Sequence, residues 1–527
     1  MHLFLVGPPG IGKSTVAPLL AELLGAATID LDASIERRAE RACDRIIRED
    51  GMPRFRALES EALGRLTPTH AVVIVATGGG APLAPANRRR MDLLGLRIGL
   101  TGTAATVARG LSRTMGVRGH LDRSPREHAE RVLRERRAAY ADVEASFAID
   151  RATPADVARA IAAWLVAARG LRLDVAGARP YPILIRVGLL EHVGAHLADL
   201  GWSGRAVIVA DTLTARQQAP AVAASCRAAG ITTATFAVAR GERAKSIRSL
   251  ERLWGGLSRA GIGRDGAVIA LGGGTVGDLA GFAAATFLRG VRYAQVPTTL
   301  LAMVDSSIGG KTGIDLVAGK NLAGAFWPPD AVLADPAVLA GLPRRQRSSG
   351  LAEIVKSAFL SDRVAVGQVE RSASRVLDGD LGPTTGAIAL AVSLKARVVG
   401  QDEREAGARE LLNFGHTFGH AYEAASGYRA THGEAVGIGM VFATALAEEL
   451  GLAPGTLRAR LERLLVAAGL PVRAPIPAGT MRYLAVDKKV RAGAVRWILP
   501  RAIGRFSEVT DVGRGSLTAA ARVVEGR

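Results

Sequence analysis

The spacing of apolar and polar positions changes character along the chain, and the changes divide it. Residues 1–165 alternate short apolar runs with amphipathic stretches. "HLFLVG" and "AVVIVATGGG" are unbroken apolar runs that end in glycine, as strands buried on both faces of a parallel sheet do. "STVAPLLAELLG" spaces its apolar residues at helical intervals and predicts a helix ending at Gly25. "ADVARAIAAWLVAARG" closes this part as an amphipathic helix. A polar, Pro/Gly-containing stretch follows from Arg172 to Pro182, and then "RAVIVADT", "TTATFAV" and "DGAVIALGGG" predict a second parallel sheet. Beyond roughly residue 340 the strand pattern largely stops and long helical patterns take over. The expected class is α/β: a first domain over 1–167, a linker over 168–182, a second α/β domain over 183–340 and a mostly helical domain over 341–527.

A chain of 527 residues suits several domains. "MHLFLVG" runs from an apolar strand straight into a glycine loop, without the charged leader of a signal peptide, and no stretch reads as a membrane span. The two cysteines, Cys43 and Cys226, lie far apart, so a reducing, cytoplasmic home is expected. The net charge of +19 raises the question of nucleic acid. The arginines are scattered and aromatics for base stacking are few, so the expectation is a solvated basic surface that favours anionic substrates, with no nucleic-acid or membrane partner. Only 8 of 68 basic residues are lysines, which makes each lysine informative, because a compact ammonium differs chemically from a planar guanidinium.

The first lysine sits in "GPPGIGKST", which fits the phosphate-loop pattern between a strand and a helix. There Gly10, Gly12 and Thr15 would shape the phosphate cradle, Lys13 would reach the β/γ-phosphates of ATP, and Ser14 would hold Mg²⁺. In "TIDLDASIE" Asp30 and Asp32 alternate at the end of a predicted strand, one toward the metal side and one toward the acceptor side. "FRALE" adds Arg56, "ATGGG" adds Gly79 and Gly80, and Arg136 lies on a later helix. An aspartate for hydroxyls and arginines for a carboxylate describe a small hydroxy-acid acceptor, although each arginine taken alone reads as a surface residue sooner than as a ligand. In this order the residues resemble shikimate kinase over about 1–165. That resemblance implies that Asp32, Arg56, Gly79, Gly80 and Arg136 bind shikimate, with Asp32 catalytic beside Lys13, that Asp30 assists the metal, and that Arg118 is a lid arginine closing on ATP. The lid reads "VRGHLDR", a departure from the family's usual Arg-Pro-Leu-Leu.

In "NFGHTFGHA", His416 and His420 are four residues apart, so on a helix both would share a face. A buried hydrogen-bonded pair and a metal site fit that spacing equally. His432 in "THGEAVGIGM" and Glu353 in the apolar "GLAEIVKSAF" add donors of the kind a catalytic zinc uses. "LGGGTVGDLAG" follows a predicted strand and suits a loop that approaches a pyrophosphate at a helix start, in a Rossmann-like domain. Seven of the eight lysines fall in this part, within short motifs rich in Gly, Asp and Asn, as a polyanionic substrate would require.

Together these motifs resemble 3-dehydroquinate synthase over about 180–510. The resemblance implies Glu353, His416 and His432 as ligands of Zn²⁺ or Co²⁺, with His420 either supporting those ligands from behind or transferring a proton. It implies Asp305, Lys311, Lys356, Lys395, Arg409 and Asn413 around the substrate, the three lysines catalytic, with Arg289 and Lys489 holding its phosphate or carboxylate. For NAD⁺ it implies Asp211, Glu242, Lys245, Gly273, Gly274, Asp278, Thr298, Thr299, Lys320 and Asn321. The implied reaction cyclises 3-deoxy-D-arabino-heptulosonate 7-phosphate to 3-dehydroquinate with loss of phosphate and no net redox change. The expected protein is a bifunctional enzyme of aromatic amino-acid biosynthesis, with homodimerisation through its synthase part. Its rivals are another sugar-phosphate cyclase or a polyol dehydrogenase in the second part, and a ligand-sensing kinase fold in the first.

Overall fold

The computed structural model describes residues 1–114, 124–317, 319–405, 407–486, 490–491 and 494–526. It divides into two compact units, Met1–Leu165 and Val166–Arg527.

The first unit is built on a five-stranded parallel sheet. Its order is Ala27–Asp30, Val73–Ala76, His2–Val6, Gly95–Thr101, Ala145–Ala148. Leu3, Phe4, Leu5 and Val6 are fully buried, which is why "HLFLV" is apolar throughout rather than alternating. The chain turns from His2–Val6 through the phosphate-loop motif into the helix Lys13–Leu24, which ends at Gly25 in the left-handed conformation. The helix Cys43–Gly64 bends at Gly51, two residues before Pro53, and this carries Arg56 and Glu59 back toward the sheet.

In the second unit a seven-stranded sheet has the order Leu171–Val175, Tyr181–Ile185, Ala331–Ala334, Arg292–Pro297, Ala267–Gly272, Gly204–Asp211, Ile231–Val238. All its neighbours run parallel except the first pair, which is antiparallel. Leu171–Val175 falls inside the stretch expected as linker: its ends Leu171 and Val175 are buried, and it pairs along the sheet edge. Core residues lie on both faces of the sheet, Ile208 and Leu271 on one, Val209 and Ala270 on the other. A hairpin, Lys311–Leu316 with Gly319–Phe326, packs on the helix Gly274–Thr286. After residue 340 the helices Arg344–Ser361, Arg363–Asp378, Leu381–Gln401, His416–Ala425 and His432–Glu449 form the helical part. Among the described residues no helix is long and apolar enough to cross a membrane.

Candidate active sites

In the first unit Lys13 opens its helix and turns back on its own loop, donating from Nζ to the carbonyl oxygens of Gly7 at 2.8 Å and Pro8 at 2.9 Å. Gly10 and Gly12, at φ 78° and 98°, curl the loop so that its N–H groups and the helix N-terminus surround one concavity. Ser14 and Thr15 are exposed at that helix start. Asp30 ends its strand and caps the next helix, accepting from the N–H of Ala33, while Asp32 lies in that helix's first turn. The two aspartates therefore do not alternate on a strand; the chain has already turned helical between them.

Asp32 meets the triple glycine: a Cβ on Gly78 would fall 2.8 Å from its Oδ1 and 2.1 Å from Oε1 of Glu59. A Cβ on Gly80 would overlap the Arg56 guanidinium, and one on Gly79 would press on Pro9 of the phosphate loop. Arg136 donates to the Gly79 carbonyl at 3.3 Å, and the Tyr140 hydroxyl donates to the same oxygen at 2.6 Å. So Asp32, Arg56, Gly79, Gly80 and Arg136 converge beside the phosphate loop. Glu59 joins them unannounced: it is buried, paired with Arg56, and burial raises its pKa although Arg56 opposes this. Its signal was the i,i+3 spacing from Arg56, hidden in a charge-rich helix. Arg118 lies outside the described residues.

In the second unit a cavity of about 1160 Å³ opens at the carboxyl ends of the parallel strands. Asp211, Gly273 with Gly274, and Thr298 with Thr299 line it, just where three neighbouring strands end. Asp211 caps its helix by accepting from the N–H groups of Leu213 and Thr214. Gly273 caps the helix Gly274–Thr286, one turn ahead of Asp278. Lys245, 4% exposed, donates to Asp278 at 2.7 Å and to Asn321, with Glu242 at 3.9 Å. Burial, opposed by Lys245, pushes Asp278 up to about 6. Lys320 stands between Glu423 at 3.2 Å and Glu242 at 3.7 Å, 4.0 Å from the ring of Tyr428.

The helical part brings Glu353, His416 and His432 together, with candidate ligand atoms all within 4.8 Å of one another. Glycines let their three helices come this close. A Cβ on Gly415 would sit 2.6 Å from Met440, one on Gly439 would strike the Gly415 carbonyl, and one on Gly433 would lie 2.2 Å from the Ser349 carbonyl. The glycines of "NFGHTFGHA" thus serve helix packing. His432 starts its helix, capped by Thr431 and Glu434 in a reciprocal box. Nε2 of His416 and Nε2 of His432 each lie 3.4 Å from Oε1 of Glu353, whose other oxygen pairs with Lys356. Oε1 of Glu353 is fully buried and accepts no hydrogen bond. Burial opposes charge on His432, yet Glu353 and Glu423 together push it up to about 9. Two imidazoles facing an unsatisfied buried carboxylate oxygen fit a divalent transition-metal ion with an open position.

Asp305 joins this centre to the cavity: it pairs with Lys395 and lines the wall, as do His420, Asn413 and Lys311. Burial works against its charge, but Lys395 and Lys356 hold its pKa well below the usual range. Lys311 pairs with Glu405, which also accepts from Asn413 at 3.1 Å. Behind the wall Arg409 is buried, donating to the carbonyls of Gly309 at 3.3 Å and Glu403 at 2.6 Å. Arg289 is exposed, does not line the cavity, and has a positive φ of 68°. Lys489 lies outside the described residues. Among the wall residues that were missed are two whose carboxylates pair with expected lysines. Glu405 sits in the charged loop "QDEREAG", which reads as solvated surface. Glu423 is seven residues after His416 on one helix, a same-face spacing that was there to be read.

Comparison with known proteins gives the same division. A shikimate kinase family model matches residues 9–166. Models of the N-terminal and C-terminal parts of 3-dehydroquinate synthase match 235–349 and 350–490. The 3-dehydroquinate synthase of Symbiobacterium thermophilum is 46% identical over 344 residues, covering 64% of this chain and 95% of that protein. A 2-epi-5-epi-valiolone synthase structure from Streptomyces hygroscopicus, with NAD⁺ and Zn²⁺ bound, is 29% identical with TM-score 0.62, covering 68% of this chain and 99% of that one. A 2-deoxy-scyllo-inosose synthase complexed with carbaglucose-6-phosphate, NAD⁺ and Co²⁺ is 25% identical with the same TM-score, covering 68% and 100%. The chain belongs to the 3-dehydroquinate synthase family over its larger unit and carries a shikimate kinase ahead of it, and so is a bifunctional enzyme of the shikimate pathway.

Proposed function

We propose that the two clusters are the two active sites, and that the residues work as follows. In the kinase, Lys13 and the loop N–H groups bind the ATP phosphates, and Ser14 and Asp30 serve Mg²⁺. Arg56 and Arg136 hold the shikimate carboxylate, the backbone of Gly79 and Gly80 borders the ring, and a carboxylate oxygen of Asp32 takes the proton of the attacking hydroxyl. Glu59 fixes Arg56.

In the synthase, Glu353, His416 and His432 hold Zn²⁺ or Co²⁺, and the Gly273–Gly274 helix start with Asp211, Lys245, Asp278, Lys320 and Asn321 binds NAD⁺. Bound metal supplies Lewis-acid polarisation and bound NAD⁺ a reversible hydride acceptor. Lys311, Lys356 and Lys395 enter the site already paired with Glu405, Glu353 and Asp305. An anionic substrate draws these ammonium groups toward its phosphate and carboxylate. His420, on the cavity wall, moves the proton through a ring nitrogen. Residence in the cytoplasm and homodimerisation through the synthase unit belong to the same reading, supported by two cysteines that form no disulfide and by the family resemblance.

The observation that carries the synthase assignment is the buried, unsatisfied Oε1 of Glu353 between two imidazoles, beside a cavity lined with lysine and glycine-loop residues. It is tested by phosphate release from 3-deoxy-D-arabino-heptulosonate 7-phosphate. Release that requires both NAD⁺ and a divalent metal and yields 3-dehydroquinate is expected. Release without metal, or of another carbocycle, contradicts the assignment.

A further inference from the structure

We propose that Glu423 is a positioning residue that holds His432 for the metal and, through Lys320, ties metal occupancy to dinucleotide affinity. The inference rests on the metal and dinucleotide sites proposed above. It starts from one helix, His416–Ala425, whose same face carries His416, His420 and Glu423 at intervals of four and three residues. His416 reaches the metal cluster from this helix, whereas His432 comes from the start of the next. Glu423 spans the two. Its Oε2 lies 3.6 Å from Nδ1 of His432, the ring nitrogen turned away from Glu353. That distance is an ion-pair approach, and it closes to a hydrogen bond with a small shift of either side chain. A carboxylate there favours the tautomer with its proton on Nδ1, which leaves Nε2 for a metal and fixes the plane of the ring.

The other carboxylate oxygen, Oε1, accepts from Lys320 at 3.2 Å. Lys320 belongs to the hairpin strand Gly319–Phe326 and also stands 3.7 Å from Glu242. Glu242 is 3.9 Å from Lys245, and Lys245 binds Asp278 on the helix that follows the glycine loop. Alternating charges therefore run from His432 through Glu423, Lys320, Glu242 and Lys245 to Asp278, all on or against one cavity wall. Glu423 is its branch point: one oxygen faces the metal cluster and the other the dinucleotide side. Metal binding that orders His432 orders Glu423, and an ordered Glu423 sets Lys320 where it meets the dinucleotide. Coupling of this kind is reciprocal.

The test measures Zn²⁺ affinity of the full chain by competition with a chromogenic chelator, with no NAD⁺ and with saturating NAD⁺. Wild type is expected to bind Zn²⁺ about 5-fold or more tighter with NAD⁺. Glu423→Gln is expected to weaken Zn²⁺ about 10–100-fold and to bring the NAD⁺ effect to about one. It is also expected to shift the visible absorption bands of the Co²⁺-loaded chain. Lys320→Gln, assayed at NAD⁺ concentrations shown to saturate that variant, is expected to lose the NAD⁺ effect. Glu423→Gln with unchanged Zn²⁺ affinity, or either variant with full coupling, overturns the inference. Should Glu423→Gln fail to fold by circular dichroism, Lys320→Gln decides. His432→Ala separates the premises: wild-type Zn²⁺ affinity in that variant refutes the metal site itself, whereas loss there with Glu423→Gln unaffected refutes only the role of Glu423.

Discussion

Lys13 is held at two carbonyl oxygens of its own loop, so its ammonium waits beside the concavity before any nucleotide arrives. Exchanging two neutral carbonyls for phosphate oxygens strengthens its interactions as negative charge develops. Lys13→Met is expected to lower shikimate phosphorylation at least about 100-fold, with phosphate release by the synthase unchanged, in parallel assays on one preparation. Asp278 gives a pH dependence of definite sign. Burial pushes it up to about 6 against the pull of Lys245, so the folded chain keeps a proton that the unfolded chain releases at the ordinary carboxylate pKa. Its contribution to stability is present below the unfolded value and is lost as pH rises through about 6. Urea midpoints of wild type and Asp278→Asn, compared from pH 4 to 7, are expected to diverge in that direction; parallel curves would contradict the shift.

Elements carry the site through backbone contact as much as through side chains. The N-terminus of the His432 helix can lie against the Glu353 helix only because Gly433 has no Cβ. Gly433→Ala is expected to cost about 1–3 kcal/mol and to displace His432. A lowered thermal midpoint together with weakened Zn²⁺ binding would show both effects. Much of this level was legible in the sequence. The helix Lys13–Leu24, the central strands of both sheets and the Glu353, His416 and His432 helices follow from apolar spacing, caps and glycines. What was hidden has physical reasons. Leu171–Val175 is an edge strand whose polar residues face solvent, so it reads as linker. Asp30 both ends a strand and caps the next helix, so Asp32, already in that helix, reads as strand until the turn is known. Glu405 and Glu59 resemble solvated charge because their pairing, with Lys311 across 94 residues and with Arg56 inside a charged helix, does not show in the sequence; in the fold Glu59 is buried and Glu405 half-buried. Arg409 reads as a ligand but is engaged with the backbone of Gly309 and Glu403.

For the whole molecule, two compact units with separate sheets predict separable chemistry. Residues 1–165 and 166–527 expressed apart are expected to keep the rates they have in the full chain; a loss in either would show that the units support one another. Stripping metal and adding back Mg²⁺ alone should restore phosphorylation of shikimate but not cyclisation, which should return only with Zn²⁺ or Co²⁺. The central claim is that one chain holds two independent active sites at the residues named. The most direct measurement is a crossed pair of variants, Lys13→Met and His432→Ala, each assayed for ATP-dependent phosphorylation of shikimate and for NAD⁺-dependent phosphate release from 3-deoxy-D-arabino-heptulosonate 7-phosphate. Each variant losing one activity and keeping the other is the predicted result. Either variant losing both, or His432→Ala keeping its cyclase rate, would contradict the account.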